Sequence, residues 1–111
     1  MDQLTMREKI GPNYVLLELS GALNAYTLTE FQEKIYRTII DANVVIDLSH
    51  VIQIDSAGLG VIMAAFNDGI DSNTKLFIMG PSENARKALE KTGFFDTFNI
   101  IHSVTEVSDA S

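Results

Sequence analysis

The residues best suited to chemistry form one short motif near the middle of the chain, Ile54-Asp55-Ser56-Ala57-Gly58-Leu59-Gly60. Turn residues followed by apolar residues predict a loop that leads into a helix near Ala57. Ser56 then lies at or beside the helix N-cap, where free backbone N–H groups and the positive end of the helix dipole favour an anion. A phosphate on Ser56 is therefore compatible with the fold, although the serine could also be a plain helix cap.

The helix after Ser56 has an unusual distribution of side chains. Placed at about 100° per residue, its apolar residues fall on two sides. One side is an ordinary core stripe, formed by Leu59, Ile62, Met63 and Phe66. The opposite side has no charge before Asp68 and consists of Gly60, Val61, Ala64 and Ala65. Small uncharged residues beside a serine are typical of a docking surface for another protein, unless another part of the same chain covers them.

Gly58 and Gly60 lie in the first turn of this helix, where each costs about 1 kcal/mol relative to alanine. Positions without side chains would let the backbone or the active site of a partner approach Ser56 closely. The alternative is that both glycines only pack against the sheet. The residues themselves leave the two explanations open.

Three other kinds of site fit the residues less well. A serine hydrolase needs a glycine two residues before its nucleophile, whereas residue 54 is isoleucine, and the only candidate bases are His50 and His102. A receiver domain is a closer rival because Asp47 ends an apolar central strand, but the acidic pair and the lysine that receivers need are not where they should be. A metal site lacks support, because the two histidines are far apart in the chain and neither has an acid pair at ligand spacing.

Composition limits the remaining possibilities. The chain has 111 residues, of which 46% are hydrophobic and 21% are charged, enough apolar material for the core of one soluble domain. A net charge of -7 opposes binding to nucleic acid or to anionic membranes, because both need a positive surface. The sequence has no cysteine, which excludes thiolate chemistry, cysteine-based zinc sites and disulfides. It has no bilayer-spanning apolar segment and no signal-peptide pattern, so a cytoplasmic protein is the default expectation.

Strand and helix patterns alternate along the chain, which predicts an α/β fold with a mixed, mainly parallel sheet and helices packed on it. Strands are predicted at residues 4–10, 14–19, 44–48, 75–79 and 98–101. The first helix is predicted from a Thr27 cap to about Ala42, the second over 57–69, and the third from a Ser82 cap to Gly93. Residues 49–55 are predicted as a connection, and the tail 105–111 as loose.

The segment from Val44 to Ile62, VVIDLSHVIQIDSAGLGVI, resembles the signature of the STAS domain of bacterial anti-sigma factor antagonists. That signature is an apolar strand, a short loop and then Asp-Ser-x-Gly-Leu-Gly. The resemblance extends over nearly the whole chain, because residues 21–27 are similar to the segment before the family's first helix and residues 80–95 to the segment with its third helix. It implies a single STAS domain over residues 1–111.

By this resemblance the protein is a binding module rather than an enzyme, and Ser56 is its phosphorylated serine. Unphosphorylated members of the family bind an anti-sigma factor that is also a serine kinase. This binding displaces the sigma factor from the anti-sigma factor. Phosphorylation ends the binding, and a PP2C-type phosphatase restores it. ATP and magnesium would belong to the kinase, since this chain has no Walker A pattern. The partner-binding residues are then expected to be Asn24, Thr27, Asp55, Ser56, Ala57, Gly58, Leu59, Gly60, Val61 and Ala64.

Several points in this interpretation stay open. Many family members carry an acid at the position of Asn24, so the asparagine removes a negative charge from the expected docking surface. Thr27 has an alternative role as the helix cap alone. The same motif would also serve a partner-switching cascade with another output, such as secretion or biofilm formation. A receiver-like phosphorelay domain is the second alternative.

Overall fold

The computed structural model describes residues 3–107 and has the predicted α/β architecture. The elements in chain order are β1 (Leu4–Ile10), β2 (Val15–Leu23), α1 (Thr29–Ile39), β3 (Val44–Ile54), α2 (Ser56–Asp71), β4 (Leu76–Met79), α3 (Glu83–Glu90), a 3₁₀-helix (Phe95–Thr97) and β5 (Asn99–Ile101). The strands form one sheet in the order β1-β2-β3-β4-β5, in which β1 is antiparallel to β2 and the other pairs are parallel. The last residues of β2 to β5 therefore meet at one edge of the sheet, here called the carboxyl edge.

The helices pack on one face of this sheet. Buried residues from α1, α2 and α3 belong to a single cluster with residues of β2, β3 and β4. In α1 the buried side chains recur at helical spacing, at Phe31, Ile35 and Ile39, and in α3 they are Ala85 and Leu89. None of the helices in residues 3–107 is long and apolar enough to cross a membrane.

The boundaries of two helices differ from the predicted ones. α1 begins at Thr29, its N-cap Leu28 makes no side-chain hydrogen bond to the helix, and it ends at Ile39. Thr27 is therefore not the cap of α1. Ser82 caps α3 as predicted, since its Oγ accepts from the N–H of Ala85 at 3.1 Å. α3 itself ends at Glu90, and Gly93 follows in the left-handed region with a φ of 79°.

Strand β3 is longer than the sequence predicts. It runs to Ile54 and pairs with β2 along its length through two register shifts, so the prediction of a connection at residues 49–55 is wrong. Leu48, Val51 and Ile54 are its buried residues after the first bulge. In a regular strand every second residue is buried, but with the bulges every third residue is buried in this part of β3. A search for alternating apolar and polar residues therefore does not detect it as a strand.

The start of α3 covers the outer part of β3. Strand β4 pairs only with residues 44–47, which leaves the rest of that β3 edge without a strand partner. Ser82 donates through its N–H to the carbonyl of Leu48 at 3.1 Å and through its Oγ to the carbonyl of Val51 at 2.5 Å. Asn84 Nδ2 donates to the carbonyl of Ile52 at 2.8 Å. These bonds hold the extension of β3 and so position the residues that follow it.

The C-terminal segment covers the second face of the sheet. Val107 is fully buried there, in a cluster with Leu16, Val45, Phe77 and Ile101. The prediction of a loose tail is therefore wrong for residues 105–107. The rest of the predicted tail, residues 108–111, lies outside the described part of the chain.

Glu106 stabilises the turn that leads into this segment. Its carboxylate accepts hydrogen bonds from the backbone N–H groups of His102 and, at 2.9 Å, of Ser103. These bonds, with that of His102 contributing most, hold the pKa of Glu106 below its usual value. The folded protein thus binds a proton on the Glu106 carboxylate more weakly than the unfolded chain does. The contribution to stability is present above the usual pKa of glutamate and is lost as the pH falls through the lowered pKa.

We expect Glu106→Gln to lower the melting temperature at neutral pH, because an amide oxygen is a weaker acceptor than a carboxylate. The difference from the wild type should vanish at a pH where Glu106 is protonated. Circular dichroism melts of both proteins across this range measure it, with Glu33→Gln on the exposed side of α1 as the control. A difference that stays constant with pH would contradict the role given to the carboxylate.

Candidate functional site

Asp55 determines how α2 begins. The residue follows the last position of β3 and is the N-cap of the helix, with extended backbone. Its Oδ1 accepts a hydrogen bond from the N–H of Gly58 at 3.0 Å. Ser56 is therefore the first residue of the helix, beside the cap, which agrees with the prediction from the sequence.

The same aspartate holds the loop that follows β2. Its Oδ2 accepts a hydrogen bond from the N–H of Ala25 at 3.3 Å, and its own N–H donates to the carbonyl of Leu23 at 3.2 Å. The ends of β2 and β3 are thereby joined side by side at the carboxyl edge. Residues 24–28, called loop 24–28 below, consequently lie next to the start of α2.

Polar side chains inside loop 24–28 bond to the backbone. Thr27 Oγ1 donates to the carbonyl of Ala22 at 2.7 Å and accepts from the N–H of Asn24 at 2.9 Å. Asn24 Oδ1 accepts from the N–H of Tyr26 at 2.9 Å, and Asn24 is only 5% exposed. Asn24 was expected among the partner-binding residues, and its burial leaves little of its side chain for a partner to contact. Because the position is buried, an uncharged amide there avoids the cost of burying a carboxylate.

The two glycines of the motif have different structural reasons. A Cβ atom on Gly58 would lie 2.9 Å from both the carbonyl oxygen and the Cγ of Leu23, and 3.1 Å from Cγ2 of Ile54. A Cβ atom on Gly60 would meet nothing within 4 Å. Gly58 thus allows close packing of the helix start on the sheet, whereas Gly60 leaves open space on the surface. The packing explanation from the sequence applies to Gly58, whereas Gly60 has the open space that the other explanation requires.

The buried side of α2 differs from the predicted one. Val61 is 4% exposed and Ala65 is fully buried, and both pack in the main core with Ile62. Their placement on the outward side is wrong, because the contact of Gly58 with the sheet sets the rotation of the helix. Residues 57–66 are apolar almost all round, so their pattern does not define one inward direction.

The outward side of α2 is nevertheless uncharged over its first turns. Ser56 and Gly60 are exposed, Met63 and Ala64 are half-buried, and their spacing places them on one face. These four residues are called the α2 outer face. Met63, which was predicted in the core stripe, does pack against the main core, but it is only half-buried and so also contributes to this face. Of the other predicted contact residues in α2, the half-buried ones are Ala57 and Leu59, and the buried ones are Gly58 and Val61.

Ser56 supplies the accessible hydroxyl of this face. Its side chain is exposed, and its Oγ makes no hydrogen bond within residues 3–107. The backbone N–H groups of Ser56 and Ala57 also have no acceptor in the part of the chain that the structure describes. A group added to the hydroxyl would therefore break no existing hydrogen bond, and it would have two donors close by.

The site has no arrangement for nucleophilic catalysis. Nδ1 of His50 lies 3.1 Å from the Oγ of Ser49, and Nδ1 of His102 lies 3.9 Å from the carboxylate of Glu106. Neither histidine is hydrogen-bonded to Ser56 within the described residues. The Ser56 hydroxyl is thus exposed but has no general base bonded to it among the described residues.

Asp47 does not form a phosphoryl-acceptor site of the receiver type. It is half-buried within β3, and its carboxylate accepts from the N–H of Ser49 at 2.9 Å, the local backbone contact that the sequence predicted. Among residues 3–107, no group of three histidine, aspartate or glutamate side chains is placed to hold a metal ion.

Comparison with known proteins identifies the family. The model of the STAS domain matches residues 5–107. The chain belongs to the STAS domain family. The anti-sigma-B factor antagonist of Listeria monocytogenes is 29% identical over 90 residues, which cover 79% of each protein. This agrees with the predicted family and with its non-enzymatic, regulatory class.

Solved structures of STAS proteins share the fold. An anti-sigma factor antagonist from Mycobacterium paratuberculosis superposes with a TM-score of 0.82 at 21% identity, over 96% of this chain and 92% of that one. The phosphorylated form of the Bacillus cell fate determinant SpoIIAA superposes with a TM-score of 0.74 at 17% identity, over 96% of this chain and 98% of that one. At these identities the likeness establishes the STAS fold.

Two residues of the candidate site were not found from the sequence. Met63 is partly exposed on the outward side of α2 whereas Val61 is buried, and this difference follows only from the rotation of the helix. Tyr26 projects from loop 24–28 and is 94% exposed. An aromatic residue inside a turn of small and polar residues was a signal for Tyr26, but the interpretation rested on its neighbours Asn24 and Thr27.

We expect alanine substitutions of the two glycines to have opposite effects on stability. Gly58→Ala should lower the free energy of unfolding by about 1–3 kcal/mol, because the new methyl group overlaps Leu23. Gly60→Ala should raise it by up to about 1 kcal/mol, because alanine is the better helix former and the space is open. Urea unfolding of the two variants and the wild type measures both. Equal effects would contradict the packing assigned to the helix start.

Proposed function

We propose that this protein is an anti-sigma factor antagonist that acts by partner switching, with Ser56 as its phosphorylation site. The proposal rests on an exposed, unbonded serine at the first position of a helix whose outward side has no charge over its first turns. The relatives from Listeria and Mycobacterium, which are named as antagonists, support it. In the unphosphorylated state the α2 outer face docks on an anti-sigma factor that is also a serine kinase, and the sigma factor is released.

A phosphate on Ser56 ends this docking through its charge. The phosphate carries a charge of about -1.5 to -2 at pH 7. It lies at one end of the α2 outer face, where Gly60, Met63 and Ala64 provide no positive charge to balance it. An interface that must bury a poorly paired dianion loses at least about 3 to 4 kcal/mol, which corresponds to a several-hundred-fold loss of affinity. The domain stays folded, because Oγ gives up no native hydrogen bond.

The chemistry of the cycle belongs to the partners. The kinase supplies ATP and magnesium and transfers the phosphoryl group to Ser56. A PP2C-type phosphatase hydrolyses the phosphoserine, which stays accessible because the side chain is exposed. A cycle with these partners takes place in the cytoplasm, and the domain alternates between a binding and a non-binding surface without a catalytic group of its own.

We expect phosphorylation at Ser56 alone when the protein is incubated with an anti-sigma factor kinase of the same organism, ATP and magnesium. Mass spectrometry of the peptides identifies the residue. Ser56→Ala should bind this kinase as tightly as the unphosphorylated wild type and stay bound in the presence of ATP. Ser56→Asp should bind at least about a hundredfold more weakly, because it leaves a permanent charge at the docking face.

The matched control for the added charge is Thr97→Asp. Thr97 is exposed in the 3₁₀-helix before β5, at the opposite edge of the sheet, so its substitution should leave both binding and melting temperature unchanged. Phosphate on another residue, or undiminished kinase binding by the phosphorylated protein, would refute the proposed switch.

A further inference from the structure

Tyr26 is the most exposed of the large apolar side chains in residues 3–107, with 94% of its surface accessible. The ring therefore contributes almost no packing energy to the fold. The other two tyrosines, Tyr14 and Tyr36, are half-buried and pack against the hydrophobic clusters. An aromatic ring that the fold does not use is the type of residue that carries binding energy at protein interfaces, because it supplies a large contact area with few rotatable bonds.

The backbone that carries this ring is well held. The N–H of Tyr26 donates to Oδ1 of Asn24 at 2.9 Å, and the N–H of Ala25 donates to Oδ2 of Asp55. The N–H of Thr27 donates to the carbonyl of Asn24 at 3.1 Å. Since three successive N–H groups are bonded, little backbone freedom is lost when the ring is bound. Preorganisation of this kind raises affinity by lowering the entropic cost of association.

The charges around Tyr26 define the chemistry of its partner. In residues 24–30 and 55–67, which form the loop and the first turns of the two helices, the charged side chains are Glu30 and Asp55, both negative. The nearest lysine in α1, Lys34, lies 2.8 Å from the carboxylate of Glu8. A partner that covers this region therefore meets a surface that is apolar except for the two negative charges of Glu30 and Asp55, and a positively charged group on the partner complements these.

We propose that Tyr26 anchors the anti-sigma factor, and that its ring enters an apolar pocket bordered by an arginine or lysine of that protein. This inference rests on the proposed function, because it concerns the unphosphorylated complex of the same site. Loop 24–28 is joined to the α2 outer face through Asp55, so the anchor and the switch form one continuous surface. Tyr26 supplies affinity for the anti-sigma factor, whereas the phosphorylation state of Ser56 determines whether the surface binds it.

The test measures the affinity of full-length variants for the anti-sigma factor kinase by surface plasmon resonance without ATP. Tyr26→Ala should bind at least about thirtyfold more weakly than the wild type, mainly through faster dissociation, as expected of an interface hot spot. Tyr26→Phe should stay within about threefold, because the ring and not the hydroxyl fills the pocket. A rise in ionic strength should slow association, because a positive surface approaches a negative one.

Phe94→Ala is the matched control, since Phe94 is 51% exposed in the connection between α3 and β5 and lies away from the site. It should bind like the wild type. All variants should melt within a few degrees of the wild type, so that a loss of binding is not a loss of folding.

The outcomes separate the inference from the proposed function. If Ser56→Ala binds the kinase and Tyr26→Ala binds equally well, the anchor is refuted while partner switching stands. If neither the wild type nor Ser56→Ala binds, both proposals are refuted. A change of self-association in sedimentation experiments, with the kinase affinity unaltered, would assign Tyr26 to contact with a second copy of this chain and would also overturn the inference.

Discussion

The carboxylate of Asp55 is the contact on which the geometry of the candidate site depends. One oxygen caps α2 at Gly58, and the other accepts from Ala25 in the loop after β2. Two segments that are separated in sequence by the whole of α1 and β3 are thereby held together at the carboxyl edge. Asp55 thus sets the start of the helix that carries Ser56 and helps to hold the loop that carries Tyr26.

The rotation of α2 follows from the same region. Because Gly58 has no side chain, the first turn packs directly on Leu23 and Ile54, and Val61 and Ala65 are drawn into the core. The outward side is then formed by small or partly exposed apolar residues, of which Met63 also packs against the core. Such a face adds little to folding stability, and it therefore remains available for a partner. Close packing on one side of the helix thus accounts for the uncharged surface on the other.

The sequence was sufficient where the determining contacts are local. The cap of α3 at Ser82 and the position of Ser56 at a helix start depend on residues within one turn, and both predictions are confirmed. It was insufficient where the outcome depends on distant segments. The outward face of α2 depends on its packing against two strands, and the burial of Asn24 depends on closure of a loop. The bulges in β3 also interrupt the alternation of buried and exposed residues by which a strand is recognised in a sequence, so the second half of β3 was not predicted.

The central claim is that the α2 outer face and loop 24–28 form one surface that phosphorylation of Ser56 closes. Its most direct test is a titration of the ¹⁵N-labelled protein with the anti-sigma factor, followed by amide NMR before and after phosphorylation. Before phosphorylation, we expect signals to change at Ser56, Gly60, Met63, Ala64 and in loop 24–28, and residues 91–99 to stay unchanged. After phosphorylation, the same addition should change nothing. Changes centred on residues 91–99, or an identical titration of the phosphorylated protein, would contradict the account.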